Sequence, residues 1–232
     1  MRISDAKTPS RHSIVAAPPF YFLQLKGNIM RHAPLNMPTA DEALERLRAG
    51  NLRYVSARMS HPNQTPVRRG ELLRGQHPFV VILGCADSRV PPEVIFDQGL
   101  GDLFVIRVAG NVIDPIVLGS IEYAAVHLHT PLIVVLGHSK CGAVAATASG
   151  AELGGHLPSI AAAIQPAINT ARQMPGNLVD NAIRENARMV TRQLSSSTPL
   201  LAPLVNTGKL RVLPAHYDLA SGSVEILPVP LG

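Results

Sequence analysis

Short apolar runs separated by polar, Gly- and Pro-rich stretches set the pattern of this chain. Phe79 to Leu83 and Leu132 to Leu136 are unbroken apolar runs, and each ends in a glycine, Gly84 and Gly137. Runs this short and β-branched predict fully buried strands of a parallel sheet. Leu103 to Val108 predicts a further strand between them, and Leu210 to Leu213 and Ser223 to Leu227 predict two after them.

Helical patterns alternate with these runs. Thr39-Ala40-Asp41-Glu42 forms a capping box, Leu44 and Leu47 supply an apolar stripe, and Gly50-Asn51 predicts a C-terminal stop. Prolines and glycines predict a loop over 56–78, with a short helix near Arg68 to Arg74. Pro91-Pro92 predicts a helix start, Ile116 to His129 a helix, and Cys141-Gly142 the start of another. Residues 149–155 predict a loop. Helices follow over 158–173, bent or interrupted at Pro166, and over 178–195. In the second of these, Val179, Ile183, Ala187, Val190 and Leu194 recur at helical spacing and predict a core face. The alternation predicts an α/β domain built on a parallel central sheet flanked by helices.

Composition narrows the function classes. Hydrophobic residues at 46% against 16% charged allow one sizeable core in 232 residues and argue against disorder. The net charge of +5 raises nucleic acid as a partner, but the basic residues are scattered and the chain has no Trp, so nucleic acid is not expected. A mildly basic surface favours small anions instead. No apolar stretch approaches the ~20 residues of a membrane span.

Parallel strands bring their C-terminal ends to one sheet edge, where open α/β sheets bind ligands. If both buried runs lie in one sheet, Cys85, His138 and Cys141 converge there. Two thiolates and an imidazole suit Zn²⁺, and three protein ligands leave a fourth position open, as in catalytic zinc sites. A single HxxC or a lone buried cysteine would say little, because free Cys packs as a small hydrophobe. Here both cysteines of the chain and one histidine sit just past strands. Cys141 at a helix start favours its thiolate. Asp87 and Arg89 sharpen the pattern, since a guanidinium fork keeps a carboxylate ionised and oriented beside a cation. A structural Asp–Arg clip is the plainer reading of that pair, but it leaves the neighbouring ligands unexplained.

Cys85-x-Asp87-x-Arg89 with His138-x-x-Cys141-Gly142 resembles the zinc signature of the β-class carbonic anhydrases. The similarity continues through Val90-Pro91-Pro92-Glu93, through Phe96 to Phe104, Arg107-Val108-Ala109-Gly110-Asn111 and Ser120 to Ala124, and covers roughly residues 39–230. It implies an added antiparallel edge strand, one zinc held by Cys85, His138 and Cys141, and reversible hydration of CO₂ to bicarbonate. By the same resemblance Asp87, paired with Arg89, accepts a hydrogen bond from the metal's hydroxide. Gln76, Phe104, Ala109, Tyr123 and the Gly142 backbone then line the CO₂ pocket, with Ala109 where some members carry Val. It also implies a homodimer, or dimer of dimers, with active sites at the subunit interface. A closed form, in which the aspartate itself takes the open metal position, goes with a pocket involving a Trp. This chain lacks Trp, so Asp87 is expected to stay on Arg89.

Three rivals stand beside this reading. One is a hydrolase of carbonyl sulfide or carbon disulfide on the same site, and another a non-catalytic zinc-binding module. The third, a nucleotide-binding or redox α/β protein, lacks both GxGxxG at a helix start and CxxC. His77, His127, His129, His156 and His216 are candidate proton carriers, none of them singled out. Residues 1–38 form an N-terminal extension read as an arm, a leader or a mis-assigned start, ahead of a catalytic domain over 39–232. Two cysteines committed to metal fit the cytoplasm, with the periplasm as the alternative if the extension is a secretory signal.

Overall fold

The computed structural model describes residues 37–228, so the question of the extension falls almost wholly outside the described residues. Helix α1 (Ala40–Val55) starts at the expected capping box: the Thr39 hydroxyl accepts from the Glu42 amide, and the Glu42 carboxylate accepts from the Thr39 amide. The helix does not stop at Gly50-Asn51; both residues are buried inside it. A Cβ on Gly50 would stand 1.8 Å from the Phe96 carbonyl oxygen, so the glycine is there for close approach. Asn51 donates to the carbonyls of Ile95 and Gly222 and accepts from the Val224 amide, which pins the helix to two segments distant in sequence.

Helix α2 (Pro66–Glu71) and a following 3₁₀ turn occupy the expected loop and lead into β1 (Val80–Gly84). Then come α3 (Pro92–Ile95), β2 (Leu103–Arg107), α4 (Pro115–His127) and β3 (Leu132–His138). Helices α5 (Gly142–Ser149), α6 (Leu157–Ala171), α7 (Leu178–Ser195) and α8 (Leu201–Asn206) precede β4 (Arg211–Tyr217) and β5 (Val224–Ile226). Helix α6 runs on through Pro166 without interruption.

The strands form one sheet in the order β2-β1-β3-β4-β5, with every pair parallel except β4–β5. This is the expected parallel sheet with an antiparallel edge. Strand β4 is longer than its apolar run because it continues through Pro214 and His216. The Pro214 carbonyl accepts from Leu227, just past the last β5 residue. An amide and carbonyl of one residue face the same side, so the amide that proline lacks would lie beyond the paired part of β5.

The sheet is covered on both faces. On one, Leu44 and Leu47 of α1 pack with Phe96 over Ile82, Val134 and Leu213; on the other, Ile121 of α4 and Val190 and Leu194 of α7 cover Leu83, Ile133 and Val135. Burying each such side chain contributes about 1.5–3 kcal/mol. The central strands β1 and β3 are wholly buried, whereas β2, at the edge, is half-buried over Leu103 to Ile106 and exposed at Arg107. No described helix is long and apolar enough to cross a membrane.

Candidate metal centre

Strands β1 and β3 are parallel neighbours, with Gly84 opposite Leu136, so both end at the same sheet edge. Cys85 is the first residue past β1, His138 the last of β3, and Cys141 caps α5. Between His138 and Cys141 the chain reverses through Lys140, held at φ 56°. The ligand atoms of Cys85, His138 and Cys141 all lie within 4.8 Å of one another, and the three residues are buried.

The chemistry of this group fits a metal. His138 Nδ1 lies 3.0 Å from the Ser139 carbonyl, an acceptor, so Nδ1 carries the proton and Nε2 presents a lone pair. That Nε2 is buried and has no hydrogen-bond partner among the described residues. A buried acceptor left without a donor is costly, and a cation satisfies it. Cys85 Sγ accepts from the Gly110 amide at 3.3 Å. Without a cation the two thiols cannot both ionise. The neighbouring Cys141 thiol, helped by His138 and the amides of Gly110 and Asp87, outweighs burial and holds Cys85 low. Cys141 is pushed up by Cys85 and by burial, against the helix-start amides of Val144 and Ala143. A bound dication reverses that conflict and favours both thiolates.

Asp87 stands at the rim. Its Oδ1 accepts from the Arg89 amide and Nε, both at 2.9 Å, and its Oδ2 accepts from Arg89 Nη2 at 2.7 Å. These bonds to Arg89 outweigh partial burial and hold the carboxyl well below the usual carboxylate range. Oδ2 also lies 3.9 Å from His138 Nε2, beside the ligand cluster. Arg89 Nη2 reaches the Lys140 carbonyl as well, at 3.3 Å, tying together the two loops that carry the cysteines.

The expected pocket residues are only partly assembled. Gly142 opens α5 directly after Cys141, and Ala109 sits in the turn after β2. Phe104 and Tyr123 stack at a ring separation of 6.4 Å along the sheet edge, Tyr123 half-exposed. Gln76 is exposed and precedes β1, whose far end carries Cys85. Five residues of strand span about 17 Å, so one chain does not bring Gln76 to the cysteines. Sequence reasoning gave no role to Arg107 or Gly110, which contact Cys85 directly. A lone Gly soon after a strand was the available signal: Gly110 lies at φ 74°.

Residues 80–224 match a family model described as "Carbonic anhydrase". A carbonic anhydrase of Mycolicibacterium smegmatis is 42% identical over 197 residues, covering 83% of this chain and 95% of that protein. Carbonic anhydrase 2 of Mycobacterium tuberculosis is 42% identical over 184 residues, 78% of this chain and 89% of its own length. Among solved structures, the β-carbonic anhydrase CcaA superposes with a TM-score of 0.64 at 28% identity, over 80% of this chain and 95% of that one. The β-carbonic anhydrase CafA of Aspergillus fumigatus gives 0.65 at 29%, over 83% and 92%. The chain belongs to the β-carbonic anhydrase family. The stretch matched by the family model contains both ligand loops and the Asp87–Arg89 pair of this β-carbonic anhydrase, and leaves out Gln76 and α1.

Proposed function

We propose that this chain catalyses the reversible hydration of CO₂ to bicarbonate and a proton, with Zn²⁺ held by Cys85, His138 and Cys141. The observation that carries this reading is the buried, partnerless Nε2 of His138 facing two thiols within 4.8 Å. Zinc, when bound there, supplies a Lewis acid that lowers the pKa of water towards neutrality. Three protein ligands leave one position for that water, the mark of a catalytic rather than a closed structural site.

The protein's own groups do the rest. Asp87, kept ionised by Arg89, has only acceptor capacity. It therefore takes a hydrogen bond from the attacking oxygen and turns that oxygen's lone pair towards the substrate. Ala109 lies in the turn beside Cys85, Phe104 and Tyr123 of a second copy complete an apolar wall for CO₂, and the Gly142 amide at the start of α5 offers a donor to the oxygen on which charge develops. Residues 39–232 serve as the catalytic unit. Both cysteines act as thiolates, which fits the reducing cytoplasm.

The active form is a homodimer or a dimer of dimers. Supporting this, β2 is an edge strand with half-buried residues and Tyr123 stands half-exposed beside it. A second copy packed there brings its Gln76 to the metal that the first chain's own Gln76 does not approach. Mixing inactive Cys85→Ser protein with weakly active Gln76→Ala protein should restore activity through hybrids with one intact site. Hybrids that form but stay inactive would contradict a shared pocket. Parallel assays with CO₂, carbonyl sulfide and carbon disulfide test the substrate: the reading expects CO₂ to be turned over fastest, and preference for a sulfur analogue would overturn it.

A further inference from the structure

Cys85 and Asp87 sit on an irregular turn after β1, yet ligand and carboxylate must keep a fixed separation. The exit of β2 templates that turn. Arg107, its last residue, lies opposite Gly84 in the sheet register. Val108 donates its amide to the Gly84 carbonyl at 3.1 Å, and the Ala86 amide donates back to Val108 at 3.3 Å. Arg107 joins the carbonyls on either side of Ala86: Nε donates to Cys85 O at 3.0 Å, and Nη2 donates to Asp87 O, which also accepts from the Val90 amide at 3.1 Å.

We infer that Arg107 is a positioning residue for the hydration reaction, a clamp that sets the Cys85 ligand and the Asp87 carboxylate at a fixed spacing and orientation. The guanidinium is a planar fork with donors at fixed spacing, so two carbonyls bound to it are held relative to each other. Arg107 differs in this from Arg89, which binds the Asp87 carboxylate itself. The two arginines thus divide the work: Arg89 aims the side chain, and Arg107 holds the backbone from which it and the thiolate project. An ammonium is a point charge on a flexible stem and cannot reproduce the paired contact. The inference rests on the reading of Cys85 as a zinc ligand and Asp87 as the acceptor.

The test compares wild type, Arg107→Ala and Arg107→Lys in three measurements: zinc affinity by chelator competition, the visible spectrum of the cobalt(II)-substituted protein, and kcat and KM separately. Outer-shell partners of metal ligands typically matter by about 10–100-fold in affinity or activity. Arg107→Ala is expected to weaken zinc binding and lower kcat by that order, with KM little changed and an altered thiolate-to-cobalt band. Arg107→Lys should recover little of this, while free guanidinium added to the Ala variant should restore part of the rate. Wild-type values within about twofold in all three measurements for a folded Ala variant would overturn the clamp, and so would full recovery by Lys. Should the Ala variant fail to fold, the Lys variant alone decides by the same criterion. A wild type that binds no zinc would instead remove the underlying reading, so the two failures are distinguishable.

Discussion

Replacing Gly110 by Ala tests whether the turn after β2 is shaped for the metal centre or merely flexible. Gly110 lies at φ 74°, ψ 15°, in the left-handed region, where a side chain costs about 1–2 kcal/mol. An added Cβ would also stand 2.7 Å from Ile164 Cδ1 and 3.3 Å from Ala143 Cβ. Forcing a methyl into packed surroundings costs about 1–3 kcal/mol, which brings the total to about 2–5 kcal/mol. Gly208 is the built-in control, because it has φ 72° with nothing among the described residues within 4 Å of its Cβ position. Gly208→Ala should therefore show only the conformational part. Denaturant unfolding of both variants, at one protein concentration and with zinc present, should place Gly110→Ala about 1–3 kcal/mol below Gly208→Ala. Each kcal/mol lowers Tm by about 2–4 °C in a domain of this size. The Gly110 amide donates to Cys85 Sγ, so the Gly110 variant should also release zinc faster to a chelator, and the Gly208 variant should not. Equal losses from the two substitutions would refute the packing argument, and unchanged zinc release would refute its link to the metal.

Two further outcomes are expected. Burial opposes ionisation of Asp97, but the Ser60 amide, Arg53, and the amide of His61 with the Ser60 hydroxyl outweigh it and hold the carboxyl at about 2. A carboxyl lowered on folding adds stability above its unfolded pKa of about 3.9, and loses it as pH falls towards the folded value. Unfolding measured from pH 5 to pH 2, about that window, should therefore show a stability slope that Asp97→Asn flattens, while the variant is less stable at neutral pH; an unchanged slope would count against the assignment. Arg89→Ala should keep zinc but lose most CO₂ hydration, because the Asp87 carboxylate is then no longer held in place by the guanidinium fork; wild-type kcat with zinc bound would contradict that role.

The strands that carry the ligands were legible because they are buried on both faces and therefore read as continuous apolar runs. Their parallel pairing brings Cys85 and His138 to one edge, so the candidate metal-binding group could be read with them. Elsewhere, local signals were overridden by contacts with remote residues. Gly50 and Asn51 look like a helix stop, yet one clears the Phe96 carbonyl and the other bonds backbone groups of two segments remote in sequence, at Ile95 and at Gly222 and Val224. Pro214 and His216 disguised half of β4, whose register with β3 runs over seven residues. Helix α8 is six residues long with a proline in its first turn, too short for periodicity to reveal. The support given to Cys85 and Asp87 by Arg107 depends on strand register, which a linear pattern does not display.

The central claim is best tested by elemental analysis of the purified full-length chain, paired with stopped-flow CO₂ hydration on the same samples. The account predicts about one zinc per chain with CO₂ hydration in the wild type, and loss of both in His138→Ala and in Cys85→Ser. Stoichiometric zinc bound with unchanged affinity in Cys85→Ser, or a zinc-loaded wild type that does not hydrate CO₂, would contradict it.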